Sequence, residues 1–310
     1  MSTSTPVEKV VIIGSGPAGL TAGIYTGRAL LSPLILEGKE PGGQLMGTSL
    51  VENWPGETSI LGPTLMQNMR NQASKCGARL VAEELISADL SVRPFVLTTH
   101  TTPIIRTHAL IIATGASFKK LKCKGEQEYW GKGVSTCGVC DGPLYKDKKV
   151  VIVGGGDSAM ENASFLSNFT TDITIVHILS QLTASPSMQL KVLSNPSIKI
   201  IYDSTVHEIH GDDKRVSQVV VTHQNTKEQT ILPADGVFIS IGLYPNTTLF
   251  KNQLETDAGG YILLKNGTES SVKGVFAAGD VVDNRYRQAI TSAGTGCSAA
   301  LDAERYLHTL

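Results

Sequence analysis

Residues 9–23 read KVVIIGSGPAGLTAG, a stretch with the order of a buried strand, a tight turn and a helix. Residues 10–13 are consecutive and apolar, and Gly14, Gly16 and Gly19 follow them in the spacing GxGxxG. Glycines at the first two of these positions let the backbone turn sharply and approach a pyrophosphate, which binds at the positive end of the following helix. The stretch therefore predicts the first strand and helix of a dinucleotide-binding Rossmann fold.

The next apolar segment supplies the acid that such a fold needs. Residues 33–36 read PLIL and predict a second strand, which Glu37 follows directly. Glu37 lies 23 positions after Gly14, the distance at which an acid accepts hydrogen bonds from the ribose hydroxyls of a bound dinucleotide. Because the glycine turn and the acid agree, we expect a nucleotide site near the N-terminus.

The glycine pattern recurs at residues 148–163, KKVVIVGGGDSAMENA, where Gly154, Gly156 and Ala159 keep the spacing of the first turn. A second Rossmann unit is therefore predicted to begin there. Its second strand ends at His177 rather than at an acid, and the three residues after it, ILS, include no arginine for a 2′-phosphate. A histidine at a strand end equally fits a structural hydrogen-bonding role, so the sequence leaves the adenosine-end specificity open.

The remaining apolar strands indicate that one domain interrupts the other. Residues 110–115 and 236–242 are apolar strands that end in similar turns, and each marks a chain crossing. The strand at 275–280 ends with an acid and has no sheet of its own to join, so it is expected to return to the first sheet. Two linkers would permit one domain to rotate against the other. The predicted boundaries are a first domain of residues 1–115 and 245–310 and an inserted domain of residues 116–244.

Composition and charge restrict the kind of partner. The chain has 310 residues, of which 41% are hydrophobic, and its formal net charge is −1. With no basic block, we expect neither nucleic acid nor a membrane as a partner. No apolar run approaches the ~18 residues that span a bilayer, and the polar N-terminus MSTSTPVEKV lacks the features of a targeting segment. The odd cysteine count, 5, disfavours a disulfide-stapled secreted fold, so a cytoplasmic protein is expected.

Two of the cysteines stand three positions apart in VSTCGVCDGPL, residues 134–144. Cys137 and Cys140 lack the second CxxC or close histidine pair that a four-ligand zinc site needs, so no metal is expected. A buried pair of inert thiols fits poorly, because the residues around the pair are typical of an exposed turn. These turn residues are Gly138, Asp141, Gly142 and Pro143.

Redox chemistry is the remaining use of the pair. Hydride transfer moves two electrons, and a disulfide takes up two electrons and two protons, so a flavin between a nicotinamide and a disulfide forms a matched relay. Asp141, next to Cys140, is placed to deliver or remove the proton, although an aspartate there equally serves as a turn residue. The other cysteines, Cys76, Cys123 and Cys297, have no partner nearby in the sequence and are expected to be ordinary side chains.

Taken in order, these motifs resemble those of the low-molecular-weight thioredoxin reductases, flavoproteins that carry electrons from NADPH through FAD and a redox disulfide to thioredoxin. The resemblance runs nearly end to end and also includes GGQL at 42–45, ENWPG at 52–56, ATGA at 113–116, AGD at 278–280 and YRQAI at 286–290. It implies an α/β fold of two Rossmann-like domains, in which the NAD(P)H-binding domain carries the CxxC and is inserted into the FAD-binding domain.

The resemblance also implies roles for individual residues. Cys140 would face the flavin, Cys137 would attack the disulfide of the protein substrate, and Asp141 would be their acid–base partner. The implied FAD contacts are Gly14, Ser15, Gly16, Pro17, Ala18, Glu37, Gly43, Gln44, Leu45, Asn53, Leu85, Ala113, Gly115, Gly279, Asp280, Arg287, Gln288 and Ala289. The implied NAD(P)H contacts are Gly154, Gly156, Asp157, Ser158, Ala159 and His177.

One departure from the family pattern concerns the nicotinamide nucleotide. The family usually has His-Arg-Arg and a later Arg around the 2′-phosphate, where this sequence has His177, Ile178, Leu179 and Thr183. Each charge-assisted hydrogen bond contributes roughly 1.5–3 kcal/mol. We therefore expect weaker discrimination for NADPH over NADH than in relatives that keep the arginines, so that NADH is admitted as a donor.

Three functions remain open on the sequence alone. The first is a homodimeric thioredoxin reductase that uses FAD and NAD(P)H, reduces thioredoxin or a thioredoxin-like protein and acts in cell redox homeostasis. The second keeps the flavin and the dithiol but takes electrons from another donor, such as ferredoxin; the missing arginines favour it, and the intact turn at Gly154 disfavours it. The third is a non-enzymatic nucleotide-sensing module, for which Cys137 and Cys140 must be incidental.

Overall fold

The computed structural model describes residues 6–47 and 50–310. The first five residues, part of the polar N-terminus on which the expectation of no targeting segment rests, lie outside the described residues. Within the described part, no helix combines the length and the apolar character that a membrane crossing requires.

The chain divides into two compact units, each of which is described by itself. Unit 1 runs to Ser117 and resumes at Tyr244–Leu310, and unit 2 is Phe118–Leu243. The boundaries predicted from the sequence were after residues 115 and 244. Which nucleotide each unit binds stays a prediction at this point.

The helices and strands follow in chain order. The first part of unit 1 contains β1 (Val7–Ile13), α1 (Pro17–Arg28), β2 (Leu34–Leu36), β3 (Leu50–Val51), β4 (Ile60–Leu61), α2 (Gly62–Lys75), β5 (Arg79–Val81), β6 (Leu85–Asp89), β7 (Phe95–Thr99) and β8 (Ile105–Ile112), with β9 (Ala116–Phe118) at the first crossing. Unit 2 contains β10 (Val134–Ser135), α3 (Gly138–Asp141), β11 (Lys149–Val153), α4 (Asp157–Leu166), β12 (Asp172–Val176), α5 (Pro186–Leu193), β13 (Ile198–Ile201), β14 (Ser204–Gly211), β15 (Val216–His223), β16 (Gln229–Pro233) and β17 (Gly236–Ile239). The chain returns through β18 (Leu243–Pro245), which pairs with β9, and unit 1 ends with β19 (Val275–Ala277) and α6 (Ala289–Leu307).

Unit 1 is built around a seven-stranded sheet in which β5, β2, β1, β8 and β19 run parallel. Val10 and Ile12 of β1 pack in the cluster formed with α1, α2 and α6, whereas Val11 and Ile13 pack in the cluster on the other face. Burial on both faces explains why β1 reads as a continuous apolar run. The carboxyl ends of β1, β2, β8 and β19 meet at one edge, where ligands bind in such folds.

Unit 2 combines a parallel sheet, in the order β10-β17-β11-β12-β13, with the antiparallel sheet β14-β15-β16. The strand β11 again alternates between two faces. Val150 and Ile152 pack with residues of α4, and Val151 and Val153 pack with residues of β15 such as Val219. The second glycine turn therefore lies between a strand buried on both faces and the helix that covers one of them.

Candidate active site

The first glycine turn joins β1 to helix α1. Gly14 has a φ of +105°, and a Cβ on it would lie 2.3 Å from the carbonyl oxygen of Ala113, so only glycine fits there. Helix α1 begins at Pro17, and no side chain among the described residues caps its first turn. A Cβ on Gly16 would meet no atom within 4 Å in the part of the chain that the structure describes, so the described residues leave space before the helix N-terminus. This turn fits the pyrophosphate that FAD would supply.

The buried Glu37 forms an ion pair with the partly exposed Arg70 at the neighbouring strand end. Glu37 directly follows β2, is 3% exposed and accepts two hydrogen bonds from Arg70, from Nε at 2.9 Å and from Nη2 at 2.8 Å. Arg70 lies on α2, 33 positions further along, and no local sequence signal points to it. The bidentate pair fixes the orientation of the Glu37 carboxylate, and its contact with a ribose stays a prediction.

Several predicted FAD contacts that are distant in sequence are adjacent in unit 1. Asn53 donates through Nδ2 to Oε1 of Gln288 at 3.3 Å, across 235 positions. Gln44 donates through Nε2 to the carbonyl oxygen of Ala116 at 2.6 Å. Gly115, which lies between Ala113 and Ala116, has a φ of +67° and faces open space. The segments that contain Asn53 and Gln44 therefore each contact another segment of predicted FAD contacts.

Two further predicted FAD contacts differ in their surroundings. Ser15 accepts a hydrogen bond from the N–H of Gly42 at 3.0 Å, which joins the first glycine turn to the loop that contains Gly43. Leu85 is 4% exposed and packs in the cluster beneath the sheet, so its side chain presents little surface to a ligand. Its predicted contact stays a prediction without support from its packing.

Asp280 follows the last strand, β19. Burial raises the pKa of Asp280, and the hydroxyl of Ser292, which donates to Oδ1 at 3.0 Å, opposes that rise. Nearby Arg287 also acts to lower the pKa of Asp280, and its own Nε is buried without a hydrogen bond to any described residue. A buried donor of this kind can be satisfied by a bound ligand, which supports the predicted flavin contact. Gln288 follows directly and caps helix α6, whose first residue is Ala289.

The two cysteines of the CxxC form a disulfide with their Cα atoms 5.3 Å apart. Cys137 caps the short helix α3, and the N–H of Cys140 donates to its sulfur at 3.2 Å. Both cysteines are half-buried. Among the described residues, no three His, Cys, Asp or Glu side chains lie close enough together to hold a metal ion.

The exposed turn predicted around the cysteines is wrong at its two glycines, whereas Pro143 is exposed as predicted. Gly138 and Gly142 are both buried, because the segment docks on helix α4. A Cβ on Gly138 would lie 2.6 Å from Oδ1 of Asn162, and a Cβ on Gly142 would lie 3.0 Å from the ring of Phe165. The glycines serve close approach to a helix, a reason that the local sequence does not reveal.

Asn162 holds the docked segment through two hydrogen bonds and makes a third to Ser240, beyond β17. Its Oδ1 accepts the N–H of Gly138 at 2.9 Å, and its Nδ2 donates to the carbonyl oxygen of Thr136 at 3.3 Å and to Oγ of Ser240 at 2.8 Å. Asn162 therefore binds the chain on both sides of Cys137. It was not among the predicted site residues, because its partners lie 24 to 78 positions away.

Asp141 lies at the end of α3, next to Cys140. Burial raises the pKa of Asp141, and the hydroxyl of Ser135, which donates to Oδ2 at 2.5 Å, acts in the opposite direction. Burial raises the pKa of Tyr145 to about 12, and the negative charges of Asp141 and Asp235 contribute to this rise. Tyr145 therefore lies close enough to Asp141 to respond to its charge. A carboxyl with a raised pKa beside a disulfide accepts a proton more readily than an ordinary exposed aspartate, which suits it to proton transfer.

The second glycine turn begins helix α4. Gly154 has a φ of +138°, and a Cβ on it would lie 2.3 Å from the carbonyl oxygen of Ser240. The ring of His177 lies directly over Gly155, and its Nε2 is 2.9 Å from the carbonyl oxygen of Gln181. No described residue bonds its Nδ1. His177 is 4% exposed, and its Nε2 contact supports the structural role that the sequence left open.

The other predicted nucleotide residues follow that turn. Asp157 is exposed at the start of α4, and its Oδ1 accepts hydrogen bonds from the N–H and Oγ of Ser185 at 2.8 and 2.9 Å. Ser158 is half-buried, and Ala159 is fully buried against the sheet. Within residues 6–47 and 50–310, no side chain caps helix α4, and a Cβ on Gly156 would meet no atom closer than 3.7 Å. This helix N-terminus therefore fits a second pyrophosphate.

The three positions where cations are expected carry uncharged side chains at the surface of unit 2. Ile178 is 55% exposed and Leu179 is 49% exposed, directly after His177. The N–H of Thr183 donates to the carbonyl oxygen of Gly155 at 2.8 Å, which places Thr183 beside the glycine turn. The structure thus has apolar and neutral groups at the positions that the resemblance predicts to face a 2′-phosphate.

Comparison with known proteins extends this picture. A family model described as pyridine nucleotide-disulphide oxidoreductase matches residues 8–296. A thioredoxin reductase from Dictyostelium discoideum is 47% identical over 321 residues, covering 100% of both chains. The structure of a thioredoxin reductase from Giardia duodenalis superposes with a TM-score of 0.91 at 46% identity, covering 97% of this chain and 98% of that one. A thioredoxin reductase from Streptococcus pyogenes superposes with a TM-score of 0.92 at 36% identity, covering 99% of this chain and 100% of the other.

Proposed function

Because the chain belongs to the pyridine nucleotide-disulphide oxidoreductases, and within them to the thioredoxin reductases, we propose that it carries electrons from NAD(P)H through FAD to thioredoxin. The Cys137–Cys140 disulfide accepts these electrons, and the resulting dithiol passes them to the protein substrate. As a member of this family the chain is an oxidoreductase enzyme.

The observation that carries the proposal is the place of the disulfide in unit 2. The Cys137–Cys140 disulfide docks on helix α4, and the same helix begins at the second glycine turn. A redox-active pair and a nucleotide turn therefore share one rigid element. A disulfide couple and a hydride both carry two electrons, so the two sites match in stoichiometry.

Unit 1 supports the binding of FAD. The pyrophosphate would lie at the helix N-terminus at Gly16. Asn53 and Gln288, which contact each other, would hold the flavin end, and the buried Asp280 would bind the ribityl chain. When bound, FAD accepts a hydride and passes two electrons to a disulfide. Unit 1 then has to bind and orient the cofactor, and unit 2 has to supply the exchanging thiols and the proton.

The exchange with the substrate is a sequence of two thiolate attacks. The Asp141 carboxylate takes the proton of the Cys137 thiol, and the Cys137 thiolate attacks the substrate disulfide. A mixed disulfide forms, the substrate S–S bond breaks, and the released thiolate receives the proton from Asp141. Asp141 then takes the proton of the Cys140 thiol, and the Cys140 thiolate attacks the Cys137 sulfur. This attack restores the Cys137–Cys140 disulfide and releases the second substrate thiolate, which receives that proton from Asp141. The dithiol loses two electrons and the substrate disulfide gains them.

One anaerobic experiment tests the proposal. The isolated protein should be yellow, NADPH or NADH should bleach its flavin absorption, and oxidised thioredoxin should restore it. Cys137→Ser and Cys140→Ser should each abolish thioredoxin reduction, while Cys297→Ser, which changes a cysteine outside the disulfide, should retain it. A colourless protein that binds no FAD, or continued thioredoxin reduction by the two site variants, would contradict the proposal.

The nicotinamide donor is a finer part of the proposal. The uncharged side chains of Ile178, Leu179 and Thr183 support weaker discrimination for NADPH over NADH than in relatives with arginines there. The same feature favours a second candidate, a flavin-dependent dithiol oxidoreductase that takes electrons from another donor such as ferredoxin. A flavin that neither nicotinamide reduces, but that reduced ferredoxin does reduce, would support this second candidate.

Two further parts of the proposal are the homodimer and the cytoplasmic location. Unit 1 leaves large apolar side chains exposed on or next to its helices, including Tyr25 at 42%, Leu30 at 83% and Leu301 at 38%, and these supply surface for a second copy.

The cytoplasmic location is supported by the thiols: Cys76, Cys123 and Cys297 are free, which is typical of a reducing compartment. The oligomeric state has a direct test. Light scattering measures the subunit number directly, and a mass of one chain at working concentration would exclude the dimer.

A further inference from the structure

We propose that Ser135 is a positioning residue for the thiol exchange, because its hydroxyl fixes the Asp141 carboxyl against the backbone that carries Cys137. The inference rests on the proposed function, in which Asp141 moves the proton of Cys137. Ser135 itself neither contacts substrate nor exchanges electrons.

The geometry joins three residues through one oxygen atom. The Ser135 hydroxyl donates to Oδ2 of Asp141 at 2.5 Å and accepts the N–H of Cys137 at 3.2 Å. Ser135 is the last residue of β10 and pairs with Phe238 of β17, so the parallel sheet fixes its backbone. Through this oxygen, the position of the acid is coupled to the position of the attacking cysteine.

A hydroxyl suits both protonation states of the acid. It donates to Asp141 when that residue is a carboxylate, and it can accept from Asp141 when that residue is a carboxylic acid. A methyl group does neither. Because Asp141 passes through both states in each cycle, a hydroxyl at residue 135 can hold the carboxyl in place through the whole exchange.

The surroundings of Asp141 make this hydrogen bond matter. Burial raises the pKa of Asp141, and the Ser135 hydroxyl is the group that opposes the rise. Next to Asp141 lie the two cysteines and Tyr145, whose pKa of about 12 keeps it neutral in the assay range, and Asp235 and Lys148 lie near Tyr145. From helix α4, the segment is faced by Asn162 and Phe165, which carry no charge. The pH profile of the exchange therefore reports Asp141 and the thiols.

The test is the pH profile of the reduced dithiol in the full-length protein. We would measure its rate of reaction with a small aromatic disulfide and with iodoacetamide from about pH 5 to pH 9, which needs no turnover of the flavin. In Ser135→Ala, loss of the donor should move the carboxylate-dependent limb to higher pH, because the pKa of Asp141 then rises further. The rate on the acid side should fall roughly tenfold, the change that one lost hydrogen bond to a charged group produces.

Matched variants separate the hydroxyl from the packing. Ser135→Thr keeps the hydroxyl and should retain the wild-type pH profile. Valine has nearly the shape of threonine but no hydroxyl, so Ser135→Val should shift the profile as Ser135→Ala does. This pair keeps the test valid even where Ser135→Ala folds poorly, since threonine and valine both suit a strand. Ser194→Ala is the control, because the Ser194 hydroxyl bonds the carbonyl oxygen of Lys191 on the exposed end of α5.

The outcomes distinguish the inference from the proposed function. Equal pH midpoints in the Thr and Val variants would overturn the role of Ser135. If wild type reduces thioredoxin but Asp141→Asn leaves the pH profile unchanged, Asp141 is not the acid–base group and the inference falls with it. If wild type reduces no thioredoxin, the proposed function has failed, whatever the profiles show.

Discussion

Glu37 and Asp280 are two carboxyl groups at the same edge of the unit 1 sheet, in opposite environments. Glu37 accepts two hydrogen bonds from Arg70, whereas the hydrogen-bond donor to Asp280 is the neutral hydroxyl of Ser292. Burial raises the pKa of Asp280 above its ordinary value. Stability from this group is therefore fully present below the ordinary aspartate pKa and is lost as pH rises through the raised pKa. At neutral pH, hydrogen-bond donors on a bound ligand would offset this loss of folding stability.

We expect Asp280→Asn to stabilise the FAD-free protein at neutral pH and to weaken FAD binding. Its unfolding temperature should rise at pH 7 and change little at acidic pH, where the wild-type carboxyl is protonated in both states. FAD affinity should fall roughly ten- to hundredfold, because a hydrogen bond to a charged group contributes roughly 1.5–3 kcal/mol. Thermal unfolding of the stripped protein and a flavin fluorescence titration measure the two effects.

An aspartate with the opposite environment is the control. Hydrogen bonds from Ser91 lower the pKa of Asp89, so Asp89→Asn should not stabilise the protein at neutral pH and should leave FAD affinity unchanged. Unchanged stability and unchanged FAD affinity in Asp280→Asn would show that Asp280 neither resists folding nor holds the cofactor.

Replacing Ile178, Leu179 and Thr183 with arginine should shift the donor preference toward NADPH. Ile178 and Leu179 are half-exposed, so these changes remove little buried packing. Each new contact with the 2′-phosphate should raise kcat/KM for NADPH about tenfold at low salt, with little change for NADH. Steady-state kinetics with both donors measure the ratio, and the triple glutamine variant controls for side-chain length. A ratio equal in the arginine and glutamine variants would contradict the assignment of this surface to the 2′-phosphate.

At the scale of elements, the redox segment and helix α4 form one structural piece. Asn162 makes two hydrogen bonds that hold the chain on both sides of Cys137, and a third to Ser240. Gly138 permits this contact, since a Cβ there would lie 2.6 Å from Oδ1 of Asn162. The disulfide is therefore fixed by a helix rather than by its own short turn.

Asn162→Ala should loosen the redox segment. Loss of the side chain leaves the N–H of Gly138 without its partner, so the free energy of unfolding should fall by about 2 kcal/mol. Dithiothreitol should also reduce the Cys137–Cys140 disulfide faster, because the undocked segment is more accessible. Urea unfolding and the reduction rate measure these effects. Asn168→Ala, at an exposed position beyond the end of α4, should change stability by less than about 0.5 kcal/mol; equal losses in both variants would refute a docking role for Asn162.

The same elements show what the sequence could predict. The strands β1 and β11 and the helices α1 and α4 lie where the apolar runs and glycine turns indicated, because those signals are local. The segment around Gly138 was predicted as an exposed turn and is instead a short helix, since its contacts with Asn162 come from a distant part of the chain. The Arg70–Glu37 pair and the Asn53–Gln288 contact were missed for the same reason: a single sequence shows spacing along the chain, not proximity in space.

At the scale of the whole molecule, each unit has its own core. The two clusters around the seven-stranded sheet draw their members from unit 1, and the two clusters around the parallel sheet of unit 2 draw theirs from unit 2. The chain crosses between the units at Ser117–Phe118 and at Leu243–Tyr244. Units with separate cores can respond separately to their ligands.

Removal of FAD should therefore destabilise unit 1 selectively. A ligand that binds only the folded state at 100 times its Kd stabilises it by about 2.7 kcal/mol, and this applies to the part that holds it. In the full-length protein, hydrogen exchange in β1, α1 and α6 should accelerate when FAD is stripped, while exchange in β11 and β12 should change little. Addition of NADP⁺ is the control, because it should slow exchange at the start of α4 instead. Equal acceleration in both units on FAD removal, or protection of unit 1 alone by NADP⁺, would contradict the assignment of FAD to unit 1 and of the nicotinamide nucleotide to unit 2.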